Sequence, residues 1–346
     1  MLNIFEVKGA EWNRLSQRSK ARLVREAFNY WRSHGFPYYV LTSVEIIREY
    51  TYLCNHKCLP SFTSSGLAGS SVALRLANSY HPQMWSVRVS RYLSPMDIFM
   101  SDRMLLAAIQ RSWELWPDRY GVRASSLRRM LKSFPGAASV SNFRPTISRT
   151  IISKYTSRGA AVVDFASGYG GRMLGCLSLE RNYIGIEPCY QQVRGLSAMF
   201  RSLRKLKLTK SHARVYRGCA EDLLPTMQSN CTPLVFSSPP YYDWERYSDQ
   251  SSQSFLRYPT YEKWLSGFLQ PIISESSRIL EKHGHLILNI SGKERWPTRS
   301  DVQGIAMRSG LVLRKCVPML LTRIPYLHPR GNGAYKPELL LIFEKI

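Results

Sequence analysis

The sequence has no long apolar run, few acidic side chains for its many basic ones, and no regular cysteine spacing. None of its 346 residues lies in an apolar stretch of about eighteen residues, so we expect no membrane span. Residues 1–6 lack the layout of a secretory leader. The seven cysteines are odd in number and follow no disulfide framework, which predicts free thiols in a reducing cytoplasm.

One short cysteine cluster raises the question of a metal site. Cys54, His56 and Cys58 are spaced like part of a metal knuckle, but no second ligand pair with matching spacing occurs. We therefore interpret this segment as a loop with free thiols and expect no metal.

The shortage of acidic residues leaves a large positive charge. Lys and Arg number 48 against 24 Asp and Glu, which gives a net charge of +24 and a pI near 10.0. Such an excess indicates a polyanionic partner, most simply nucleic acid; a basic surface that serves only solubility is the alternative. Residues 1–150 hold 21 Lys and Arg against 9 Asp and Glu, so both halves of the chain could contact the same partner.

Residues 1–140 are predicted to form a mostly helical accessory domain that contacts nucleic acid. Apolar residues recur at helical spacing near the N-terminus, interleaved with basic ones. The basic face is either solvated or in contact with phosphates. A cap at Thr42 or Ser43 and the pair Ser94-Pro95 mark further helix starts, and residues 59–71, rich in Ser and Gly, predict a loop.

From residue 141 to 346 the pattern changes to strands alternating with helices. Five apolar runs that alternate with helical patterns predict a doubly wound, Rossmann-like, mainly parallel α/β sheet; the third run, at residues 214–217, is the one with no helix predicted after it. No helix separates the last two apolar runs, at residues 311–321 and 338–344, so an antiparallel hairpin is predicted there. The loop between them, residues 322–337, is basic and aromatic and could lie against a nucleic acid.

A stiff polar-aromatic turn follows the fourth predicted strand. Ser238-Pro239-Pro240-Tyr241 directly follows the apolar residues 234–236, and its prolines fix φ and remove two backbone donors. A hydroxyl, carbonyls free of local competition and an aromatic ring could bind a flipped nucleobase through its amino group and its face. An ordinary Pro-Pro loop is the alternative.

Acidic residues and a glycine-rich turn follow the other predicted strands. The first strand runs into Asp164-Phe165-Ala166-Ser167-Gly168-Tyr169-Gly170-Gly171, the second ends at Glu187, and the third is followed by Glu221 and Asp222. Because ligands bind beyond the carboxyl ends of such strands, we predict that a cofactor is bound by Asp164, Ala166, Ser167, Gly168, Gly170, Glu187, Glu221 and Asp222. A carboxylate at Glu187 suits ribose hydroxyls, and one at Asp222 suits an adenine amino group.

A dinucleotide is the rival ligand for this turn. A dinucleotide site has the spacing G-x-G-x-x-G and a helix N-terminus that holds a pyrophosphate. Here Asp164 stands four residues ahead of Gly168, and an acid repels phosphate but suits a cationic sulfonium or an amino-acid end. The pattern therefore favours S-adenosylmethionine over NAD.

Taken together, these motifs resemble the amino-methyltransferases of DNA, which act on cytosine N4 or adenine N6. The resemblance covers about residues 142–346: the glycine motif D-x-x-x-G-x-G-G at 164–171, [DNS]-P-P-[YFW] at 238–241, and Asn142-Phe143-Arg144-Pro145 just before the cofactor strand. It leaves residues 1–140 without a family. It implies S-adenosylmethionine as cofactor, DNA as partner and a base-flipping reaction, as in restriction-modification systems.

The resemblance also implies roles for single residues. Ser238 and the carbonyl of Pro239 would accept the hydrogens of the target amine, Pro240 would stiffen the turn, and Tyr241 would stack on the flipped base. Tyr242, Asp243 and Tyr247 would complete the substrate pocket, although Asp243 could equally be a solvated loop acid. Serine at the first motif position leans towards cytosine N4.

Three other functions remain open at this point. RNA base methyltransferases use similar Pro-Pro motifs, and the positive charge suits RNA as well. A nucleic-acid-binding protein with a vestigial cofactor fold and an enzyme that transfers another group are the remaining alternatives.

Overall fold

The computed structural model describes residues 3–58, 66–116, 118–291, 298–320 and 337–346. Most of the predicted loops at residues 59–71 and 322–337 therefore lie outside the described residues. None of the helices in the described ranges combines the length and apolar character that crossing a membrane requires. The seven cysteines are all free thiols.

Helices account for much of the described chain. Fifteen α-helices occur in the described ranges: α1 (Gly9–Asn13), α2 (Gln17–His34), α3 (Ser43–Cys54), α4 (Leu74–Ser79), α5 (Pro95–Met100), α6 (Asp102–Glu114), α7 (Ala124–Ser133), α8 (Pro145–Tyr155), α9 (Gly171–Leu177), α10 (Tyr190–Lys205), α11 (Ala220–Leu223), α12 (Ser254–Arg257), α13 (Tyr261–Trp264), α14 (Gln270–Ile279) and α15 (Arg299–Arg308). A π-helical turn, Leu265–Leu269, joins α13 to α14, and 3-10 turns occupy Pro82–Ser86 and Leu224–Thr226.

The strands form one large sheet. The described strands are β1 (Leu67–Ala68), β2 (Arg88–Val89), β3 (Ala161–Asp164), β4 (Asn182–Glu187), β5 (Ala213–Arg217), β6 (Thr232–Ser237), β7 (Glu245–Arg246), β8 (Leu280–Ser291), β9 (Leu311–Leu320) and β10 (Pro337–Lys345). Eight of them form a sheet in the order β1-β9-β10-β8-β6-β3-β4-β5. β10 is antiparallel to both of its neighbours, and the other described pairs are parallel.

The chain divides into two compact units. Unit 1 comprises Met1–Val40 and Pro82–Val140, and unit 2 comprises Leu41–His81 and Ser141–Ile346. The predicted boundary near residue 140 agrees with this division. The prediction differs for Leu41–His81, which the sequence pattern groups with the N-terminal helices. This segment belongs to unit 2 because Ile46, Tyr50 and Leu76 pack in the same core cluster as the sheet.

Unit 1 is a helical assembly built on buried tryptophans. The indole of Trp12 on α1 stacks on Trp113 of α6, with ring centroids 4.7 Å apart. Trp113 is fully buried and donates its indole N–H to the Val7 carbonyl at 3.0 Å. These contacts confirm the helical character that the apolar spacing predicts.

Unit 2 has the doubly wound, Rossmann-like arrangement with a C-terminal antiparallel hairpin, as predicted. Alternate residues of each strand enter opposite core clusters: Phe236 and Ile287 face one layer of helices, and Val235 and Leu288 face the other. β9 and β10 form the hairpin.

The structure confirms the predicted helix caps and differs from the prediction at one helix end and in one loop. The Thr42 and Ser94 hydroxyls cap α3 and α5, each accepting from a backbone N–H. The predicted helix at residues 261–280 ends at Ile279, and β8 begins at Leu280 rather than after Gly284. β1 falls within the segment that composition assigns to a loop.

Candidate active site

The predicted site residues gather at the carboxyl edge of the parallel strands. β3 lies between β4 and β6, with Val163 opposite Ile184 on one side and Val235 on the other. Asp164 and Glu187 are the last residues of β3 and β4, and Ser237 is the last residue of β6. The topology thus brings together the acidic residues, the glycine turn and the Pro-Pro turn, as strand order predicts.

Asp164 is the centre of a buried polar network. Its carboxylate is fully buried and accepts from Arg172 (Nε, 2.8 Å; Nη2, 3.1 Å), from the Tyr183 hydroxyl (2.7 Å) and from the Ser237 hydroxyl (2.8 Å). The Ser237 oxygen in turn accepts from the Ala166 N–H at 3.0 Å. Burial raises the pKa of Tyr183 well above its usual range, so its hydroxyl is a neutral donor.

This network changes the interpretation of Asp164. The sequence suggests a free carboxylate for a cationic ligand, but Arg172 neutralises it within the protein. Its oxygens hold the ends of β3 and β6 and the start of α9 in fixed positions. Asp164 therefore organises the site, and a ligand would contact it only by displacing one of these donors.

The glycine turn has one open position and two packed ones. A Cβ on Gly168 would meet only the Ala166 carbonyl oxygen, at 3.8 Å, so there is open space beside this residue. On Gly170 it would lie 2.4 Å from Met199, and on Gly171 it would lie 1.8 Å from the Phe143 carbonyl oxygen. Gly168 and Gly170 have φ of 55° and 77°, a conformation that favours glycine.

The Asn142-Phe143-Arg144-Pro145 segment holds this turn. The Asn142 side chain accepts from the Gly171 N–H at 3.2 Å and donates to the Tyr169 carbonyl at 2.9 Å. Gly171 has no side chain because the Phe143 backbone occupies that space. Gly170 and Gly171 thus serve close packing, and Gly168 is the residue left to face a ligand.

Glu187 points its carboxylate at the same turn. It accepts from the Gly168 N–H (Oε2, 2.9 Å) and the Cys189 N–H (Oε1, 3.0 Å). Gln192 lies against both oxygens, and its amide nitrogen donates to them in the orientation that satisfies both groups. Burial raises the pKa of Glu187 to about 7, against the lowering effect of the two backbone donors.

Glu221 and Asp222 share one cation at the next strand end. Arg257 of α12 donates to Glu221 Oε1 at 3.0 Å and to both oxygens of Asp222, at 2.6 and 2.9 Å. Burial raises the pKa of the Glu221 carboxyl, whereas the Asp222 side chain is half exposed. The acids are placed as predicted, but their pairing with Arg257 was not predicted from the sequence.

The two serines before the prolines have different surroundings. Ser237 lies within the Asp164 network and is fully buried. The hydroxyl oxygen of Ser238 is also buried, yet it has no hydrogen-bond partner among the described residues. Pro239 behind it is buried, and Pro240 is half-buried.

The aromatic and acidic residues that follow Pro240 lie in different surroundings. Tyr241 is half-buried beside the prolines. Tyr242, with φ of 50°, turns into the core, where its ring contacts Trp264 and its hydroxyl donates to the Pro259 carbonyl at 2.5 Å. Its ring and hydroxyl thus contact the protein core, whereas the sequence predicts Tyr242 in the substrate pocket. Asp243 is exposed. The ring centroids of Tyr247 and of Tyr169, on the glycine turn, lie 6.3 Å apart.

Sequence reasoning missed several polar residues of this edge. The Asp164 network also includes Arg172, Tyr183 and Ser237. Arg172 could have been noticed in the sequence, because it is an arginine that directly follows two glycines at the start of an otherwise apolar helix. Asn289 was also missed, although it interrupts the apolar run of β8.

Comparisons with known proteins return similar folds only. No protein-family model and no curated protein matches the sequence. Solved structures that are similar include a TehB-like SAM-dependent methyltransferase from Corynebacterium glutamicum (16% identity over 64% of this chain and 96% of that one, TM-score 0.39). The magnesium protoporphyrin IX methyltransferase ChlM from Synechocystis, with bound SAM, has 11% identity over 58% and 77% of the chains and a TM-score of 0.39. Precorrin-6y C5,15-methyltransferase from Geobacter metallireducens has 15% identity over 57% and 87%, with a TM-score of 0.38.

Proposed function

We propose that this protein transfers a methyl group from S-adenosylmethionine to the exocyclic amino group of a base flipped out of DNA, at cytosine N4 or adenine N6. The Ser238 hydroxyl is the observation that carries this proposal. It is buried without a hydrogen-bond partner in the described part of the chain, and it directly follows Ser237, which is bonded to the glycine turn. An unsatisfied buried hydroxyl is costly, so its presence here favours a site that receives a donor from a ligand.

The residues of the glycine turn fit the proposed cofactor. Open space lies beside Gly168, and the buried Glu187 carboxylate next to it offers acceptors for ribose hydroxyls. The glycines at 168, 170 and 171 do not follow the G-x-G-x-x-G spacing of a dinucleotide site, which disfavours a pyrophosphate here. When bound, the cofactor would supply a methyl group on a sulfonium and leave as a neutral thioether.

The Pro-Pro turn would prepare the amine for attack. The Ser238 oxygen and the Pro239 carbonyl would accept the two amino hydrogens and draw the nitrogen from planar towards tetrahedral geometry. Its lone pair, no longer delocalised into the ring, could then form the new N–C bond as the methyl–sulfur bond breaks, and the nitrogen would then release one proton to water. Tyr241 would hold the base by stacking, so that positioning contributes much of the rate.

The charge of unit 1 supports a nucleic acid as the substrate. Its segments hold 16 Lys and Arg against 7 Asp and Glu, and α7 carries Arg128, Arg129 and Lys132 with no acid. The Arg128 guanidinium lies 4.0 Å from the Tyr39 ring centroid, and the Lys132 ammonium lies 4.6 Å from that of Trp85. The Trp85 ring is fully buried, so its contact with Lys132 belongs to the packing of unit 1, and the excess of basic residues is the feature that suits phosphates.

Mass spectrometry of nucleosides tests the reaction. DNA and RNA would be incubated with the protein and methyl-labelled S-adenosylmethionine and then digested. We expect label on N4-methylcytosine or N6-methyladenine from DNA, lost in the Ser238→Ala variant and retained in Asp249→Asn, which alters an exposed acid of the same loop. Label only in RNA nucleosides would replace DNA by RNA as substrate, and bound cofactor without transfer to either would refute the proposal.

A further inference from the structure

A polar pair, the buried Asn289 and the half-buried Glu338, adjoins Ser238 along the sheet edge and has no role in the fold described above. β6 and β8 are parallel, with Ser237 opposite Leu288, so the register places Ser238 beside Asn289. β10 follows on the other side of β8, with Ser291 opposite Glu338. Asn289 Nδ2 donates to Glu338 Oε2 at 2.7 Å.

Both members of this pair face the same side of the sheet. Side chains alternate along a strand, so Asn289 shares its face with Ile287, and Glu338 shares its face with Leu340. Ile287 and Leu340 belong to the core cluster that also holds Phe236. The pair thus stands where this apolar layer ends, at the level of the Pro-Pro turn.

The pair is incompletely satisfied within the protein. Asn289 is only 4% exposed, and its carbonyl oxygen is buried with no hydrogen-bond partner among the described residues. Within the described part of the chain, Glu338 forms no ion pair, and its side chain accepts a hydrogen bond from Asn289. Burial raises the pKa of the Glu338 carboxyl, which favours its protonated form.

Such a pair costs free energy unless a ligand completes it. A buried amide oxygen without a donor carries the desolvation penalty in full, and leucine would fit the neighbouring apolar pattern of β8. The pair combines a free acceptor, the Asn289 oxygen, with a carboxylic acid that can donate. These two groups are complementary to an amino group next to an unprotonated ring nitrogen.

That arrangement occurs on two of the common bases. Cytosine has an amino group at C4 beside N3, and adenine has one at C6 beside N1, whereas uracil and hypoxanthine have a carbonyl beside an N–H at the same places. We propose that Asn289 and Glu338 read this amidine edge: Glu338 donates to the ring nitrogen, and Asn289 shares with Ser238, in a three-centre hydrogen bond, the amino hydrogen on that side. The inference rests on the proposed function, since it takes a base bound at Ser238 as its ligand.

Binding of matched oligonucleotides tests the inference without requiring turnover. Fluorescent dC and dU dodecamers, and dA and dI dodecamers, share backbone and length within each pair and differ in the edge that the pair would read. With S-adenosylhomocysteine present, we expect the protein to bind dC over dU, or dA over dI, by about 10-fold or more. Asn289→Leu and Glu338→Leu, which remove the acceptor and the donor, should each reduce that preference to within about 3-fold and leave the affinity for dU or dI unchanged.

A purely structural role would give a different pattern. It would weaken all four affinities together, and calorimetry with S-adenosylhomocysteine would show a weaker cofactor site. Glu344→Gln, which alters the acid at the far end of β10, is the matched control and should retain the preference. If the unmodified protein shows no preference in either pair, or if both variants keep it, the inference fails.

The test separates this inference from the proposed reaction. Methyl transfer with an unchanged preference in both variants would leave the reaction standing and remove the pair from base reading. A preference that both variants lose, without methyl transfer to any nucleoside, would refute the reaction and retain the base-reading site.

Discussion

The two ends of the carboxyl edge of the sheet differ in how their polar groups are satisfied. At the glycine turn, the carboxylates of Asp164 and Glu187 already accept hydrogen bonds from the protein. At the Pro-Pro turn, Ser238 and Asn289 each keep a buried oxygen with no partner among the described residues. The first region is built before any ligand arrives, and the second is complete only with one.

This difference suits two ligands of different kinds. A cofactor that is used in every turnover is best met by a rigid, preformed site, because the protein then loses little entropy on binding it. A base that must leave a nucleic-acid stack needs groups that gain partners only when it enters, since those gains offset the cost of unstacking. The comparison would fail if a substitution at the glycine turn affected only activity, or if one at the Pro-Pro turn affected only stability.

The largest effect is expected where a buried charge loses its partner. Arg172→Met would leave the Asp164 carboxylate buried and uncompensated, since Arg172 is its cation in the described structure. We expect the free energy of unfolding in urea to fall by about 3–5 kcal/mol. The double variant with Asp164→Asn should recover part of the loss, because the charge is then gone. A fall of less than about 1 kcal/mol in the single variant would show that Asp164 is not held as described.

The next effect should appear in activity alone. Ser238→Ala removes a hydroxyl that makes no hydrogen bond to a described residue, so the free energy of unfolding should stay the same or rise slightly. Methyl transfer should nevertheless fall by about 100-fold or more, because the amine loses one of its two acceptors. Single-turnover kinetics and urea unfolding on the same preparation would check both results. A variant that is less stable and fully active would contradict the assignment.

The neighbouring serine provides the opposite case. Ser237→Ala removes the hydroxyl that bonds to Asp164 and accepts from Ala166, so two buried groups lose a partner. We expect the free energy of unfolding to fall by about 1–3 kcal/mol. The rate of methyl transfer at saturating cofactor should change less than in Ser238→Ala. If both alanine variants lost stability equally, the two ends of the edge would not differ.

The sequence predicted the order of the elements better than the contacts between them. Each strand-end residue at Asp164, Glu187 and Ser238 lies where alternating strands and helices put it, because parallel topology fixes which ends meet. The partners of those residues were not predictable, since Arg172 and Tyr183 reach Asp164 through side-chain conformations that no pattern encodes. The sheet topology determines which strand ends lie close together, and side-chain packing determines which residues form hydrogen bonds there.

Three further differences between the prediction and the structure also arise from packing that the sequence pattern does not encode. Tyr242 follows the motif as a pocket residue would, but a left-handed φ of 50° turns its ring into the core. Asn289 was not predicted as a site residue, because the hydrophobic pattern that identifies a strand gives no weight to a single polar residue within it. The composition of residues 41–81 likewise gave no indication of the unit that they join.

The smallest predicted effect concerns pH at the preformed end. Burial raises the pKa of Glu187 from 4.5 to about 7, so the free protein holds a proton on this carboxyl in mildly acidic solution. A raised pKa means that the folded state binds the proton more tightly than the unfolded state, so Glu187 should lower the free energy of unfolding as pH rises from about 4.5 to about 7. Ribose hydroxyls that donate to the carboxylate would favour its charged form.

Cofactor binding should therefore strengthen with pH while Glu187 weakens folding. Calorimetric titration of S-adenosylhomocysteine should give an affinity about 10-fold higher at pH 8 than at pH 6, with proton release below pH 7. Glu187→Gln should bind more weakly and show no such dependence, because an amide does not titrate in this range. An identical pH profile in the variant would assign the dependence to another group, and the glycine turn would then lack the carboxylate contact that makes it the preformed half of the site.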